Sequence, residues 1–342
     1  MGHHKKGQSV SISDVARVAG VAKSTVSRAF IHPTLVAAPT RERIRRIAEE
    51  MGFRPSRVAR ALSTGRTGLV GLVVPTLSNP FFGPLVAAMQ QAAEEEDRQI
   101  VLMISELSAE RETRLVERLS REVDGLIVAT SLCEEAFLRR VAKEIPLVLV
   151  DRKVGRLASV LIDTPSGVAA IADHLIGMGH RRLCYVSGPP GSWADAPRIA
   201  ALRARAEESG ADIVVAGPIP PTVDAGIEIA ETVAAAGVTA VIGYNSATVL
   251  GLLHGLGTRG VRVPEDVSVA SADDFILLQS TTPAVTVLHL PLEEAGQAAV
   301  RMLERLLRGE RPGRPVVIGP RLVIRESTLR SRPPGWPQGD PA

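Results

Sequence analysis

Residues 11–30 carry side chains suited to contact with a DNA duplex. Ser11 and Asp14 have the spacing of a capping box, which predicts the start of a helix, and Gly20 supplies the turn that ends it. A second helix over about 23–30 would have one apolar side and one outward side. The outward side carries Lys23, Ser24, Ser27 and Arg28. Two helices joined by a glycine turn, with a polar outward side on the second, predict a helix-turn-helix that reads the major groove. An arginine on that side can donate two hydrogen bonds to a guanine edge.

The charge distribution favours contact between this segment and phosphate. Residues 1–66 contain 13 Lys and Arg against 4 Asp and Glu, a net charge of +9. The whole chain has 40 and 37, so the rest carries 27 against 33, a net charge of −6. A basic segment on an acidic body places phosphate binding in the basic segment alone. The alternative is an ordinary basic helical subdomain. Such a subdomain would not require the polar outward side on the second helix.

From Gly68 onward, short apolar runs alternate with amphipathic helical patterns. The strand-like runs are 69–74, 100–104, 126–130, 147–150, 182–187, 213–216, 240–244 and 267–270. The helical patterns are 84–96, 110–120, 165–177, 197–209, 225–236 and 248–256. Strands joined by helical crossovers form parallel sheets covered on both faces, so the two series predict two α/β lobes in tandem.

Polar residues stand where several strand-like runs end, and ligands in such folds bind beyond the carboxyl ends of the strands. These residues are Asp151, Asn245 and Asp273, and Arg198 follows Trp193 near the start of a helix. We predict that they surround a small molecule. Alternatives remain for three of them: Asp151 could pair with Arg152 or cap a turn, Trp193 could pack in its own loop, and Arg198 could pair with Asp273 in the empty site.

Short motifs recur along about residues 11–330. The first are Asp14-Val15-Ala16, Ala19-Gly20-Val21, Thr25-Val26-Ser27-Arg28, Thr40-Arg41-Glu42 and Gly52-Phe53-Arg54-Pro55. The later ones are Asn79-Pro80-Phe81-Phe82, Asp124-Gly125-Leu126-Ile127, His174-Leu175-Ile176-Gly177-Met178-Gly179-His180 and Asp266-Val267-Ser268-Val269. With these motifs in this order, the chain resembles the LacI/GalR family of bacterial repressors. The resemblance implies an all-α helix-turn-helix head and an α/β sensor. The sensor is expected to have two doubly wound parallel-sheet lobes, similar to type I periplasmic binding proteins.

The resemblance also implies domain boundaries. The head is expected over residues 11–55, the hinge helix and linker over 56–66, and the sensor over 67–330. Within the sensor, the N-lobe would contain about 67–163 and 290–315, and the C-lobe about 164–288 and 316–330. Three crossings between the lobes are expected, near Asp163, near His289 and within 314–321. The Pro- and Gly-rich tail 331–342 is expected to be disordered and lacks a heptad pattern, which favours a homodimer over a tetramer.

Residue roles follow from the same resemblance. DNA contacts are implied for Ser11, Lys23, Ser24, Thr25, Ser27, Arg28, Ser56, Arg57, Val58, Ala59 and Leu62. Effector contacts are implied for Ser78, Asn79, Phe81, Ser131, Asp151, Trp193, Arg198, Asn245 and Asp273. In the family, residues 56–63 would form a hinge helix only on DNA, and Leu62 would wedge into the minor groove. A plain linker leucine is the alternative for Leu62.

The implied function is a repressor that binds a palindromic operator in double-stranded DNA as a homodimer and is released by a small carbohydrate-like effector. The alternatives are a ligand that acts as a corepressor, or a sugar-binding module without regulatory DNA function. No apolar run has membrane-span length, and Cys133 and Cys184 are expected to be free thiols. We therefore expect a cytoplasmic, nucleoid-associated protein with no membrane contact. Since no Walker, zinc-protease or nucleophile-elbow motif is present, we expect no enzyme activity, cofactor or metal.

Several positions depart from the family pattern. Ala22 and Ala37 replace the serines that usually cap the second and third helices of the head, at a cost of about 1 kcal/mol each. Near the expected pocket, Ser246 replaces an aspartate, and Leu202 replaces an aromatic residue. These changes weaken the case for a stacked plain hexose. A sugar, sugar acid, polyol or sugar phosphate is therefore expected as the effector class.

Overall fold

The computed structural model describes residues 10–31, 33–53 and 65–331, which divide into two compact units at Leu69 and Val70. The predicted hinge helix at 56–63 and all but the first residue of the predicted tail lie outside the described residues. No helix among those described is both long and apolar enough to cross a membrane.

The head is a small helical bundle. Its elements are α1 (Ile12–Ala19), α2 (Lys23–Ile31), a 3₁₀ turn (Pro33–Leu35) and α3 (Ala38–Glu50). Ser11 and Asp14 form the predicted capping box, and Gly20 ends α1 at φ +65°, a conformation that glycine adopts without strain. The core consists of small and branched residues from all three helices and from the segment before α3. It contains Val15, Ala16, Ala19, Val26, Ala29, Val36, Ile44 and Ala48.

The sensor begins with strands and helices in alternation. In chain order these are β1 (Leu69–Val74), α4 (Phe82–Glu95), β2 (Gln99–Ile104), α5 (Ala109–Leu119), β3 (Gly125–Ala129), α6 (Glu135–Glu144), β4 (Leu147–Val150) and β5 (Ala158–Ile162). The second series is α7 (Thr164–Gly177), β6 (Arg182–Val186), α8 (Asp195–Ser209), β7 (Asp212–Ala216), α9 (Val223–Ala235), β8 (Ala240–Gly243), α10 (Ser246–Gly257), β9 (Ser268–Ser271) and β10 (Thr286–His289). The chain continues with α11 (Leu292–Leu307), β11 (Val316–Ile318) and β12 (Arg321–Val323).

These strands form two six-stranded sheets, one in each lobe. The N-lobe sheet has the order β11-β5-β4-β3-β1-β2, and the C-lobe sheet has the order β12-β10-β9-β8-β6-β7. The chain passes between the sheets after β5, after β10 and between β11 and β12. The expected fold of two parallel-sheet lobes is confirmed. The central strands are buried on both faces, which explains why their sequences are continuous apolar runs.

Strands β5, β10, β11 and β12 were not predicted from the sequence pattern. The last of these runs antiparallel to β10, with Val287 opposite Val323, so the C-lobe sheet is not purely parallel. Three of the four strands have only three or four residues, and in β11 two of the three residues are exposed. β10 and β12 each contain only two apolar residues, so no continuous apolar run marks them in the sequence.

Candidate functional site

Three of the four residues that were predicted to face outward from α2 are exposed. Lys23, Ser24 and Arg28 are exposed, whereas Val26 and Ala29 are buried against α1 and α3. Thr25 and Ser27 are half-buried at the edge of this surface. Neither Lys23 nor Arg28 forms an ion pair within the described part of the chain. Two exposed cations and one exposed hydroxyl are therefore accessible to phosphate and base edges.

Ser11 is held by its own helix. Its hydroxyl donates to Asp14 Oδ2 at 2.6 Å, and its backbone N–H donates to the same oxygen at 3.1 Å. These hydrogen bonds lower the pKa of Asp14. The observed role of Ser11 is thus to start α1, and a DNA contact at this position remains a prediction. The other predicted DNA contacts, Ser56, Arg57, Val58, Ala59 and Leu62, lie outside the described residues.

The third helix of the head lacks a side-chain cap. Ala37 occupies its N-cap position and makes no side-chain hydrogen bond. Replacing Ala37 with serine should supply an acceptor for a free N–H group of the first turn and stabilise the head by about 1 kcal/mol. Amide hydrogen exchange of α3 in the full chain would measure this gain. Ala38→Ser is the matched control, because it places the same hydroxyl one residue inside the helix. Equal protection in both variants would contradict the capping explanation.

A cavity lies between the two lobes of the sensor, at the carboxyl ends of the strands. Every loop that follows β1 to β4 in the N-lobe and β6 to β9 in the C-lobe contributes to it. The N-lobe residues are Pro75, Thr76, Asn79, Phe81, Phe82, Leu107, Thr130, Leu132 and Asp151. The C-lobe residues are Pro189, Ser192, Trp193, Ala194, Arg198, Pro221, Tyr244, Asn245 and Asp273, and Leu290 lies at a crossing.

Arg198 is the only cationic side chain among these lining residues, and it is 6% exposed. Its Nε donates to Thr164 Oγ1 at 3.0 Å, and its Nη1 donates to the carbonyl of Tyr244 at 3.2 Å. The Tyr244 ring lies beneath the guanidinium, with 5.1 Å between Cζ and the ring centroid. The alternative pairing of Arg198 with Asp273 is not formed. A buried charge held by neutral groups in this way can still bind an acceptor from a ligand.

The two carboxylates of the cavity are buried. Asp273 Oδ1 accepts hydrogen bonds from the Ser246 N–H at 2.6 Å and the Ser271 hydroxyl at 3.1 Å. Burial raises the pKa of Asp273 to about 6 despite these bonds and the Arg198 charge. Burial likewise raises the pKa of Asp151, which has a φ of +53°. Asp151 does not pair with Arg152, whose Nη1 donates to the Ser131 carbonyl.

Four further predicted residues line the cavity, namely Asn79, Phe81, Trp193 and Asn245, and the two asparagines also have structural roles. Asn245 caps α10 by accepting from the Thr248 N–H at 2.9 Å. Asn79 stabilises its own loop, because its Oδ1 accepts from the Phe81 N–H at 3.0 Å. Trp193 is 37% exposed at the rim, so packing within its own loop does not account for all of its surface.

Two predicted residues, Ser78 and Ser131, do not line the cavity. Ser78 is exposed, and its backbone N–H donates to Thr76. Ser131 is fully buried, and its hydroxyl donates to Glu112 of α5, which also accepts from the Leu132 N–H at 3.1 Å. The Glu112 carboxylate, on the adjacent helix, thus accepts the hydrogen bonds that this loop donates. A pattern of residues at the end of a strand cannot reveal a partner on another helix.

Two residues that bind Arg198, Thr164 and Tyr244, were not predicted from the sequence. Tyr244 directly precedes the predicted Asn245, so the strand-end criterion could have included it. Thr164 reaches Arg198 only because α7 packs against α8. The cavity thus offers one cation, two carboxylates, amide groups and aromatic faces. This set of groups suits the binding of a polyhydroxylated molecule. No cluster of three or more potential metal ligands occurs among the described residues.

Family models match two parts of the chain. Residues 11–56 match the model of bacterial regulatory proteins of the lacI family, and residues 172–328 match the model of the periplasmic binding protein-like domain. The first match covers the head, and the second covers most of the C-lobe together with α11.

Relatives align over nearly the full length. The HTH-type transcriptional regulator DegA of Bacillus subtilis is 30% identical, over 93% of this chain and 98% of its own. The lac repressor dimer bound to operator and the anti-inducer ONPF has the same fold, with a TM-score of 0.84 and 24% identity over 94% of this chain and 100% of the other. The CelR–cellobiose complex has a TM-score of 0.69 and 28% identity, over 93% and 99%.

Proposed function

Because the chain belongs to the lacI family of bacterial regulatory proteins, we propose that this transcriptional regulator is a repressor controlled by a small effector in the sensor cavity. The observation that carries the proposal is that one chain joins an exposed basic helix, with Arg28, to a cavity that contains buried Arg198 and Asp273. The repressor binds as a homodimer to a palindromic operator, so that each α2 helix reads one half-site.

The cavity supports a carbohydrate-like effector. Its donors and acceptors come from both lobes, with Asp151 and Asn79 in the N-lobe and Arg198, Asn245 and Asp273 in the C-lobe. A molecule with several hydroxyls can bridge these groups, and such bridging favours one relative position of the lobes over another. The CelR structure contains cellobiose, a molecule of this class. We propose a sugar, sugar acid, polyol or sugar phosphate as the effector.

The regulatory step is a change in the distance between the two hinge segments of the dimer. In the proposed mechanism, effector binding shifts the lobes, the paired 56–63 segments separate, and operator affinity falls. The coupling is reciprocal, so operator DNA must weaken effector binding by the same factor. The protein acts in the cytoplasm at the nucleoid, and the cavity binds its ligand without catalysis.

The reading role of α2 is tested by Arg28→Ala. Because a bidentate arginine contributes about 1–3 kcal/mol of discrimination, the variant should lose base preference at one position in each half-site. In vitro selection from random duplexes would compare its binding sites with those of the original chain. Arg46→Ala removes the same charge from the exposed face of α3, where Arg46 lies 3.9 Å from Glu50, and should keep the preference. An unchanged motif in Arg28→Ala would exclude the reading role.

The effector class is tested by thermal shift of the full chain with D-glucose, D-gluconate, sorbitol and D-glucose 6-phosphate. A compound that binds the folded sensor raises its unfolding temperature, and it should also change operator affinity. A decrease in operator affinity identifies an inducer. An increase would contradict the proposed direction of control and identify a corepressor.

A further inference from the structure

Glu112 is a buried carboxylate that holds one of the loops of the cavity without lining the cavity itself. It lies in the first turn of α5 and is 1% exposed. Its oxygens accept hydrogen bonds from the Ser131 hydroxyl, from the Leu132 N–H at 3.1 Å to each oxygen and from the Cys133 N–H at 3.4 Å. All three donors belong to the loop between β3 and α6. Glu112 therefore fixes three consecutive residues of this loop from the side of α5.

Arg152 holds the same loop from a second side. It follows the cavity-lining Asp151 at the end of β4, and its Nη1 donates a hydrogen bond to the carbonyl of Ser131. The hydroxyl and the carbonyl of Ser131 are thus bound by two side chains of opposite charge, Glu112 and Arg152. Because hydrogen bonds to charged partners are stronger than those between neutral groups, these contacts keep Ser131 in the core, where it is 1% exposed.

The two residues that precede Ser131 and Arg152 both line the cavity in a left-handed backbone conformation. Thr130 has a φ of +46°, and Asp151 has a φ of +53°. This region is unfavourable for any residue with a β-carbon, because the β-carbon approaches the following carbonyl oxygen. Such strain persists only where the surrounding contacts enforce it. The hydrogen bonds among Glu112, Ser131 and Arg152 lie directly behind both strained residues and supply that restraint.

We propose that Glu112 is a positioning residue for the N-lobe side of the cavity, which acts by holding Ser131 in the core so that Thr130 keeps its left-handed conformation. With Ser131 turned inward, its neighbours Thr130 and Leu132 are the residues of this loop that line the cavity. This part of the cavity wall is therefore formed before a ligand binds, which reduces the entropy that binding must cost. The inference rests on the proposed function only in that the cavity is taken to bind the effector.

Amide hydrogen exchange of the full chain measures this loop without effector or operator. The reporters are the N–H groups of Leu132 and Cys133, which donate to Glu112. Strand β6, which is paired on both sides in the other lobe, is the internal reference for global unfolding. Glu112→Gln removes the charge and replaces one acceptor oxygen with an NH₂ group. We expect exchange at Leu132 and Cys133 to be about 10-fold faster, since an ionised acceptor forms stronger hydrogen bonds, and exchange in β6 to be unchanged.

Glu117→Gln is the matched control. It makes the same chemical change on the exposed side of α5, where Glu117 pairs with Arg140 at 3.4 Å. This variant should alter exchange neither in the loop nor in β6. Unchanged exchange of the loop in Glu112→Gln would overturn the proposal. Equal acceleration of the loop and β6 in that variant would overturn it as well, because Glu112 would then contribute only to global stability.

A glycine at position 130 distinguishes positioning from simple packing. Glycine adopts the left-handed region without strain, so Thr130→Gly should slow exchange at Leu132 and Cys133 by about 5-fold, both alone and combined with Glu112→Gln. Thr130→Ala keeps a β-carbon and should not slow it. If Thr130→Gly left the exchange unchanged, Glu112 would not be offsetting strain at Thr130, and the proposal would be wrong. None of these results depends on DNA reading or on the identity of the effector, so failure here is distinguishable from failure of the proposed function.

Discussion

Replacing Arg198 with alanine should abolish the response of operator binding to the effector while operator binding itself persists. Arg198 is the only cation among the described residues that line the cavity, and its partners Thr164 and Tyr244 are neutral. A ligand oxygen would therefore gain charge-assisted hydrogen bonds from Arg198 that no other lining side chain provides. Each such bond contributes about 1.5–3 kcal/mol, so two of them give an expected loss of effector affinity of about 100-fold or more.

Isothermal calorimetry with the compound identified by thermal shift would measure the affinity, and fluorescence anisotropy would measure operator binding. Arg205→Ala is the matched control, because Arg205 lies on the same helix but on its exposed side, where it pairs with Asp173 at 2.8 Å. Arg198→Lys retains the charge and loses the planar fork, so it should recover only part of the affinity. If Arg198→Ala still responded fully to the effector, the effector site would lie outside this cavity.

The sequence predicts the cavity well where one local rule suffices. Asp151, Asn245 and Asp273 each follow a strand-like run, and the carboxyl ends of parallel strands meet at one edge of a sheet. All three line the cavity for this reason. The same rule fails for Ser131. Its hydroxyl donates a hydrogen bond to Glu112 on α5, and this bond keeps the Ser131 side chain in the core. A strand-end pattern contains no information about a neighbouring helix.

The surroundings of Arg198 show the same limit. Its position near the start of α8 could be read from the sequence, whereas its partners Thr164 on α7 and Tyr244 after β8 are brought together only by the fold. The alternative in which Arg198 pairs with Asp273 is not formed in this structure, where Asp273 accepts hydrogen bonds from Ser246 and Ser271. Because Arg198 and Asp273 hydrogen-bond to neutral neighbours and not to each other, both charged groups remain available to a ligand.

Replacing Asp273 with asparagine should stabilise the effector-free sensor at neutral pH. The native pKa of about 6 lies above the ordinary value of 3.8, so folding favours the protonated form. The stability that the protonated Asp273 carboxyl contributes is fully present below pH 3.8 and is lost as the pH rises through about 6. Two pKa units correspond to about 3 kcal/mol. Asparagine remains neutral and its carbonyl can still accept from Ser246 and Ser271, so Asp273→Asn should gain up to this amount at pH 7.5 and nothing at pH 3.5.

Chemical denaturation followed by circular dichroism at several pH values would measure this difference for the sensor transition. Asp274→Asn is the neighbouring control. Asp274 forms an ion pair with Arg325 at 3.4 Å, so its neutralisation should not stabilise the protein. A gain for Asp273→Asn that is equal at pH 3.5 and pH 7.5 would show that the burial of charge is not its cause.

Ionised Asp273 destabilises the effector-free sensor, and we propose that an effector offsets this cost by donating hydrogen bonds to it. At neutral pH most of its carboxylate is ionised in a buried site where water is scarce, and it keeps acceptor capacity that Ser246 and Ser271 do not fill. Hydroxyl donors of an effector would stabilise the ionised form, so a neutral polyol such as sorbitol should raise the unfolding temperature more at pH 7.5 than at pH 5. An anion placed beside Asp273 would favour its protonated form and give the opposite order. The pH dependence of the thermal shift therefore distinguishes a neutral effector from an acidic one, and Asp273→Asn should remove the dependence in either case.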